Sequence, residues 1–150
     1  MGVTILLSNW ERIRTKLIET IECFEEEDLD YSPAENQWTV REIMLHIAHE
    51  EMIEVVYGTV QKIKDWPQEY PPHDYQNIES IKDVLNDVHS QSIDYLGSIE
   101  DADLGRSIMA PWGREFILGE MVGHTMEHEA HHRSELSLIL GLLGRQAPDI

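Results

Sequence analysis

Residues 117–143, ILGEMVGHTMEHEAHHRSELSLILGLL, form the longest helical pattern of the chain and carry four of its eight histidines. Each residue of a helix advances about 100° around the axis, so residues three or four apart share a face. One such face holds Leu118, Met121, Thr125, His128, His132, Leu136, Ile139 and Leu143. Because this face is apolar at both ends, it is predicted to face a core, with His128 and His132 in its middle.

Three further helical patterns precede this one, at about residues 4–26, 39–64 and 78–99. The second begins with Thr39-Val40-Arg41-Glu42, a capping box that satisfies free amides at a helix start. A proline-rich connection near residues 65–76 follows it and is long enough to cross a bundle, which would leave the second and third helices parallel. No alternating pattern predicts a strand, and residues 101–114 are predicted to be irregular. We therefore expect an all-α four-helix bundle, a single domain over residues 1–150.

The composition narrows the classes of partner. The 150 residues include 29 acidic and 11 basic side chains, so the formal net charge is -18. Nucleic acids and anionic membrane surfaces attract clustered lysine and arginine, and neither is expected to bind this chain. The start has no basic leader, no stretch of 18 apolar residues predicts a membrane span, and Cys23 is the one cysteine. These features predict a cytoplasmic protein.

The second helix also points histidine toward the presumed core. His46 and Glu50 occupy the centre of its apolar face, and His49 lies to one side. Imidazoles in an apolar core are costly unless each has a partner, and a divalent ion provides one partner for several. The pair His128 and His132, four residues apart, places two ring nitrogens one turn apart on the last helix. The sequence therefore predicts one metal ion bound by these two residues and His46, with water completing its shell.

Nitrogen ligands favour zinc or nickel over magnesium or calcium. Glu50, one turn beyond His46, is predicted to orient a ligand or to act as a base. Three residues beside the ligands, His124, His131 and Glu129, are predicted to support the ligands rather than to bind the metal.

Other interpretations of the histidines stay open. Residues 128–132, HEAHH, match the H-E-x-x-H signature of zinc peptidases, in which Glu129 would be the general base. Little sequence remains for the usual downstream ligand, and an all-helical pattern offers no sheet edge for a peptide, so this interpretation is the weaker one. Any single core histidine also has a purely structural interpretation. His73 and His89 are interpreted as surface or rim residues.

Two stretches resemble the DinB/YfiT-like family of metalloenzymes: residues 37–47, QWTVREIMLHI, and residues 124–136, HTMEHEAHHRSEL. The family pattern has a Trp-Ser/Thr-x-x-Glu helix start leading to a histidine, then histidines four residues apart before Arg-Gly-Gln. In this chain Ser134-Glu135 replaces Gly-Gln. The resemblance implies an up-down-down-up four-helix bundle and frequent homodimers. It also implies a metal held by three histidines, which here are His46, His128 and His132.

The resemblance to this family also implies a range of activities, since its members include thiol-dependent transferases and isomerases that use bacillithiol or mycothiol. A zinc ion on three histidines would lower the pKa of a bound thiol or water. The leading hypothesis is a metal-dependent enzyme, such as an S-transferase that joins a low-molecular-weight thiol to a small electrophile. The alternatives are a non-catalytic helical dimer with a structural or vestigial metal, and a metal-dependent hydrolase with Glu50 or Glu129 as base.

Overall fold

The computed structural model describes residues 2–149. Within them lie four long helices: α1 Val3–Ile21, α2 Val40–Glu51, α3 Ile78–Gly97 and α4 Leu118–Leu142. Residues Met52–Val60 continue α2 as a π-helix. Short 3₁₀ turns occupy Glu26–Asp28, Pro72–Asp74 and Asp101–Gly105. No helix among these residues is long and apolar enough to cross a bilayer.

The packing of the helices gives an up-down-down-up bundle. α1 and α2 each pack against both α3 and α4. One apolar cluster joins Leu6 and Leu118, at the starts of α1 and α4, to Leu96 at the end of α3. A second cluster joins the opposite ends, where α2 and α3 begin and α1 and α4 finish. Helices α2 and α3 are therefore parallel, as the proline-rich connection indicated, and the prediction of a four-helix bundle is confirmed.

The helix boundaries follow local signals in the sequence. The capping box predicted at the start of α2 is present: the Glu42 amide donates to Thr39 Oγ1 over 3.2 Å, and the Thr39 amide donates to Glu42 Oε2 over 2.7 Å. Asn77 caps α3 in the same manner by accepting from the Ser80 amide over 2.8 Å. Gly144, with φ of 76°, follows the end of α4 in the left-handed conformation that glycine adopts without strain.

The prediction that no strand forms is wrong in one place. Residues Ser107–Met109 and Glu115–Ile117 pair as a two-stranded antiparallel hairpin in a region predicted to be largely irregular. Strands of three residues are too short for alternation to show in the sequence. The turn between them includes Gly113 at φ 82°. The first helix also ends at Ile21, earlier than predicted, because the acidic residues after it form a 3₁₀ turn in which Asp28 caps the Glu25 amide.

The buried face of α2 is rotated from the predicted one, and the buried face of α4 agrees with the prediction at Leu118, Thr125, His132, Leu136 and Ile139 but differs in its middle. On α4 the buried polar residues are Thr125, Glu129 and His132, while His128 is half-buried. On α2 the fully buried acid is Glu51, whereas Glu50 and His46 are half-buried. His46 and Glu50, predicted at the centre of the core face of α2, therefore lie at the edge of the core. They lie along the seam between α2 and α4, which is the line where the surfaces of these two helices meet.

A network of charged residues occupies the middle of the core instead. Arg14 of α1 donates to Glu51 and, over 3.0 Å, to Glu129 Oε2, which also accepts from Trp10 Nε1 over 3.0 Å. The other oxygen of Glu51 lies 3.0 Å from His89 Nδ1. His89 is therefore buried, and its interpretation as a surface or rim residue is wrong. Residues from four helices thus meet in one hydrogen-bonded network.

The two carboxylates of this network have shifted pKa values in opposite directions. Burial alone would raise the pKa of Glu51, but Arg14 and His89 outweigh burial and the pKa is lowered. Burial raises the pKa of Glu129, although Arg14 opposes the shift. Arg14 contacts both carboxylates, and Glu51 differs from Glu129 in having His89 as a further partner.

Replacing Arg14 with methionine is expected to destabilise the fold strongly. The variant would keep the apolar volume of the side chain but leave the Glu51 carboxylate buried without its cation, which costs about 3–5 kcal/mol. Arg12→Met, at an exposed position of the same helix, should change the free energy of unfolding by no more than about 0.5 kcal/mol. Urea denaturation of both variants measures the difference, and equal small effects would contradict the role given to the network.

Candidate metal centre

Three histidine rings converge at the seam between α2 and α4. His46 Nε2 lies 3.1 Å from His128 Nε2, which lies 3.0 Å from His132 Nε2. His128 and His132 are one turn apart on α4, and antiparallel packing brings His46 of α2 opposite them. The structure therefore brings together the three residues that the sequence selected as ligands.

Ordinary hydrogen bonds do not account for this arrangement. A ring nitrogen carries one in-plane position, which holds either a proton or a lone pair. His128 Nε2 is close to two other nitrogens at once, so it cannot form a well-directed hydrogen bond with each. Tetrahedral ligands at 2.0–2.1 Å from zinc would lie about 3.3 Å apart. The observed spacings are near this value, and the donor set fits a divalent metal ion.

The side chain of Glu135 supports His132 from behind. Its Oε2 atom lies 2.5 Å from His132 Nδ1, one turn along α4. A carboxylate accepts hydrogen bonds, so His132 Nδ1 carries the proton and its Nε2 presents a lone pair toward the other rings. His131 is exposed, and its Nε2 lies 3.7 Å from Glu135 Oε1. Glu135 was not predicted as a site residue, although its position three residues after His132 on a helix indicates that the two side chains are neighbours.

Glu50 lies on the opposite side of the site. Its Oε1 atom is 4.0 Å from His46 Nδ1. The pKa of Glu50 is raised, first by burial and then by the nearby Glu54 carboxylate. Glu54 in turn holds the exposed His124, whose Nδ1 lies 2.7 Å from Glu54 Oε1. His124 therefore contacts Glu54 one turn before His128, while Glu129 points to Trp10 and Arg14 in the core.

The rings of His46 and His128 are neutral near pH 7. Burial, followed by the neighbouring His132, lowers the pKa of His46 to about 4. The same two causes, burial first, lower the pKa of His128 to about 3. Neutral imidazoles keep the lone pairs that metal ligation requires.

Trp38 separates two cavities beside the histidines. Its ring centroid is 4.4 Å from that of His46 and 6.0 Å from that of His132. On one side is a cavity of about 240 Å³, the His49 cavity, lined by Trp38, Glu42, Leu45, His46, His49, Glu69, Tyr70 and Pro72. On the other side, a cavity of about 380 Å³ reaches Glu135 and Leu138. The site is therefore next to space that a small molecule can enter.

Lowering the pH should destabilise the metal-free protein. Because the pKa values of His46 and His128 lie below the ordinary value of 6.5, the unfolded chain binds more protons between pH 6.5 and about 4. The free energy of unfolding should therefore fall as the pH falls through this window. Denaturant titrations of metal-free protein at pH 7, 6 and 5 measure the slope. A His128→Asn variant should show a smaller slope, and an unchanged slope would contradict the lowered pKa of His128.

Several known proteins resemble this chain in sequence or in fold. The chain is 25% identical to the Bacillus subtilis (strain 168) protein named "Putative metal-dependent hydrolase YfiT" over 147 residues, covering 87% of this chain and 82% of the relative. The solved structure of YfiT superposes with a TM-score of 0.72 at 17% identity, covering 96% of this chain and 89% of that chain, and is described as an unusual four-helix bundle.

Two other solved structures share the fold. A DinB-like protein from Bacillus cereus ATCC 10987 superposes with a TM-score of 0.79 at 18% identity, covering 99% of this chain and 97% of that one. A mycothiol-dependent maleylpyruvate isomerase superposes with a TM-score of 0.63 at 13% identity, covering 91% of this chain and 61% of that chain. The family model described as the DinB superfamily matches residues 9–136, and this chain therefore belongs to the DinB superfamily.

Proposed function

We propose that this protein is a divalent-metal-dependent enzyme whose ligands are His46, His128 and His132. The observation that carries the proposal is the position of His128 Nε2, which lies 3.1 Å from His46 Nε2 and 3.0 Å from His132 Nε2, an arrangement that ordinary hydrogen bonding does not explain. Zinc or nickel suits a set of three nitrogen donors. When bound, such an ion supplies Lewis-acid chemistry that lowers the pKa of a coordinated thiol or water.

Glu50 is the residue best suited to move a proton. Its raised pKa, caused by burial and Glu54, brings the carboxyl group closer to neutral pH, where a general base or acid works best. It lies beside His46, at the edge of the site, and is half-buried. Glu129 is not suited to this task because its Oε2 accepts hydrogen bonds from Trp10 and Arg14 inside the core.

The activity we propose first is transfer of a low-molecular-weight thiol to a small electrophile. The two cavities beside Trp38 provide space for two small reactants. The structural likeness to a mycothiol-dependent isomerase supports thiol chemistry on this fold. Hydrolysis is the second candidate, supported by the position of Glu50 and by the name of YfiT.

A purely structural metal is the remaining alternative. Within residues 2–149, the cluster that includes His46 offers three ligand atoms and not the four of a closed zinc site. This count favours an open coordination position.

We also propose that the protein forms a homodimer. We propose that it has no nucleic-acid or membrane partner, because its net charge is -18.

Single alanine substitutions should separate the ligands from their neighbours. His46→Ala, His128→Ala and His132→Ala should each abolish the retention of zinc or nickel, since each removes one of three donors. His124→Ala and His131→Ala should leave metal retention near the wild-type level because their side chains pair with Glu54 and Glu135. Metal content after dialysis, measured by mass spectrometry, checks both groups. Loss of metal in His124→Ala and His131→Ala, with metal retained in the three ligand variants, would show that another face of α4 binds the ion.

Replacing Glu50 with glutamine should reduce turnover by about 10²–10⁴-fold if its carboxylate moves the proton. Zinc content should remain unchanged, because Glu50 is not among the proposed ligands. Activity is measured as thiol consumption with 1-chloro-2,4-dinitrobenzene over a panel of thiols, and as hydrolysis of p-nitrophenyl acetate without thiol. Glu120→Gln, at an exposed position of α4, is the matched control. Equal activity of the two variants would remove Glu50 from the mechanism, and activity without thiol would favour hydrolysis.

A further inference from the structure

The His49 cavity has an unusual balance of charge for a site that would receive a thiol or an electrophile. Two carboxylates line it, Glu42 and Glu69, and none of the described residues that line it is a lysine or an arginine. Glu42 is held in place by its hydrogen bonds to Thr39. Glu69 is exposed and keeps a free carboxylate at the wall of the cavity. An anionic group entering this space would meet two like charges without a compensating cation.

A buried histidine in the same wall lacks a partner. His49 is only 8% exposed, and its Nδ1 atom has no hydrogen-bond partner in the structure. Burial lowers the pKa of His49, although Glu69 opposes the shift, so the ring is neutral. A buried polar atom without a partner is costly, so this part of the cavity wall contains one unsatisfied ring nitrogen. The neutral ring has a nitrogen that can accept a hydrogen bond.

Aromatic rings complete the wall. Trp38 is 47% exposed at the boundary of the cavity, and Tyr70 lies with its ring 6.1 Å from the ring of His49. Burial raises the pKa of Tyr70 to about 12, so its hydroxyl stays protonated. Aromatic faces together with carboxylates and a hydrogen-bond acceptor recognise ammonium groups. At about 240 Å³ the cavity is smaller than a typical drug-sized pocket, which limits it to a small group.

We propose that the His49 cavity binds the ammonium group of a small amine-bearing substrate, between the Trp38 ring and the Glu69 carboxylate. The proposal rests on the proposed function, because the cavity is taken as the substrate side of a centre that includes His46. The His49 cavity then accepts substrates that are amines or neutral molecules, and it disfavours thiols and electrophiles that carry a carboxylate.

Three probes of equal shape and different charge test the cavity itself. Benzylamine, benzyl alcohol and benzoate are titrated into the metal-free protein, and their dissociation constants are measured by ligand-observed NMR. Benzylamine is expected to bind at least fivefold more tightly than benzoate. Glu69→Gln should reduce this preference about threefold, and Trp38→Ala should weaken benzylamine binding by a similar factor. Asp94→Asn removes the same charge from an exposed position of α3 and should leave the preference unchanged.

The outcomes separate the cavity from the metal centre. Equal binding of the three probes, or equal loss of preference in Asp94→Asn and Glu69→Gln, would overturn the cavity proposal, since the second result would mean that only the overall charge acts. An amine preference that depends on Glu69 and Trp38 supports the proposal. A second portion of each variant is loaded with zinc and dialysed, and its zinc content is measured in parallel. Selective amine binding without zinc retention would leave the ammonium site in place and refute the metal-dependent function.

Discussion

The ion cluster around Arg14 determines how the helices of this bundle meet. A guanidinium from α1 reaches carboxylates from α2 and α4, and one of those carboxylates also holds His89 from α3. None of these side chains can leave the core without breaking the contacts of the others. The network therefore fixes the rotation of each helix in the middle of the bundle. That rotation directs Glu51 and Glu129 inward, and it turns their neighbours on the same helices, His46 and His128, toward the seam. The geometry of the candidate metal centre therefore depends on a polar network that does not touch it.

Periodicity and capping signals were enough to predict the helices and the bundle, because long amphipathic patterns depend on local sequence. The same signals misplaced the centre of the core face of α2, and on α4 they put His128 at a central position where Glu129 is buried instead. A pattern of apolar residues leaves the direction of a helix face uncertain when charged residues are also buried, and Glu51 and Glu129 are buried only because Arg14 approaches from another helix. The π-helix at Met52–Val60 adds a second source of error, since its wider turns change the spacing on which periodicity relies. The three histidines predicted as ligands still lie together, because His128 and His132 stay neighbours on α4 whichever way that helix is turned and His46 lies opposite them.

The residues of the candidate site come partly from helices and partly from loops. The histidines come from rigid helices, and Glu135 fixes the tautomer of His132 through a contact within α4. Trp38 comes from the loop just before α2 and forms a wall of both cavities. Tyr70 and Glu69 come from the connection between α2 and α3, which the sequence marked only by its prolines. The residues proposed to bind the ion are therefore carried by helices, whereas the residues proposed to contact the substrate are carried largely by loops, which tolerate variation more readily.

The buried network also constrains how this sequence can diverge. Loss of one partner from a buried ion cluster is costly, whereas replacement of the whole set by well-packed apolar residues is often nearly neutral. Positions 14, 51, 89 and 129 are therefore coupled, and their substitution effects should be far from additive. Relatives that abandon the cluster should have changed these four positions together, while the aliphatic positions around them, such as Leu85 and Leu136, drift one at a time. Substitutions within the network should therefore be tolerated as a set, whereas substitutions at the surrounding apolar positions should be tolerated one by one.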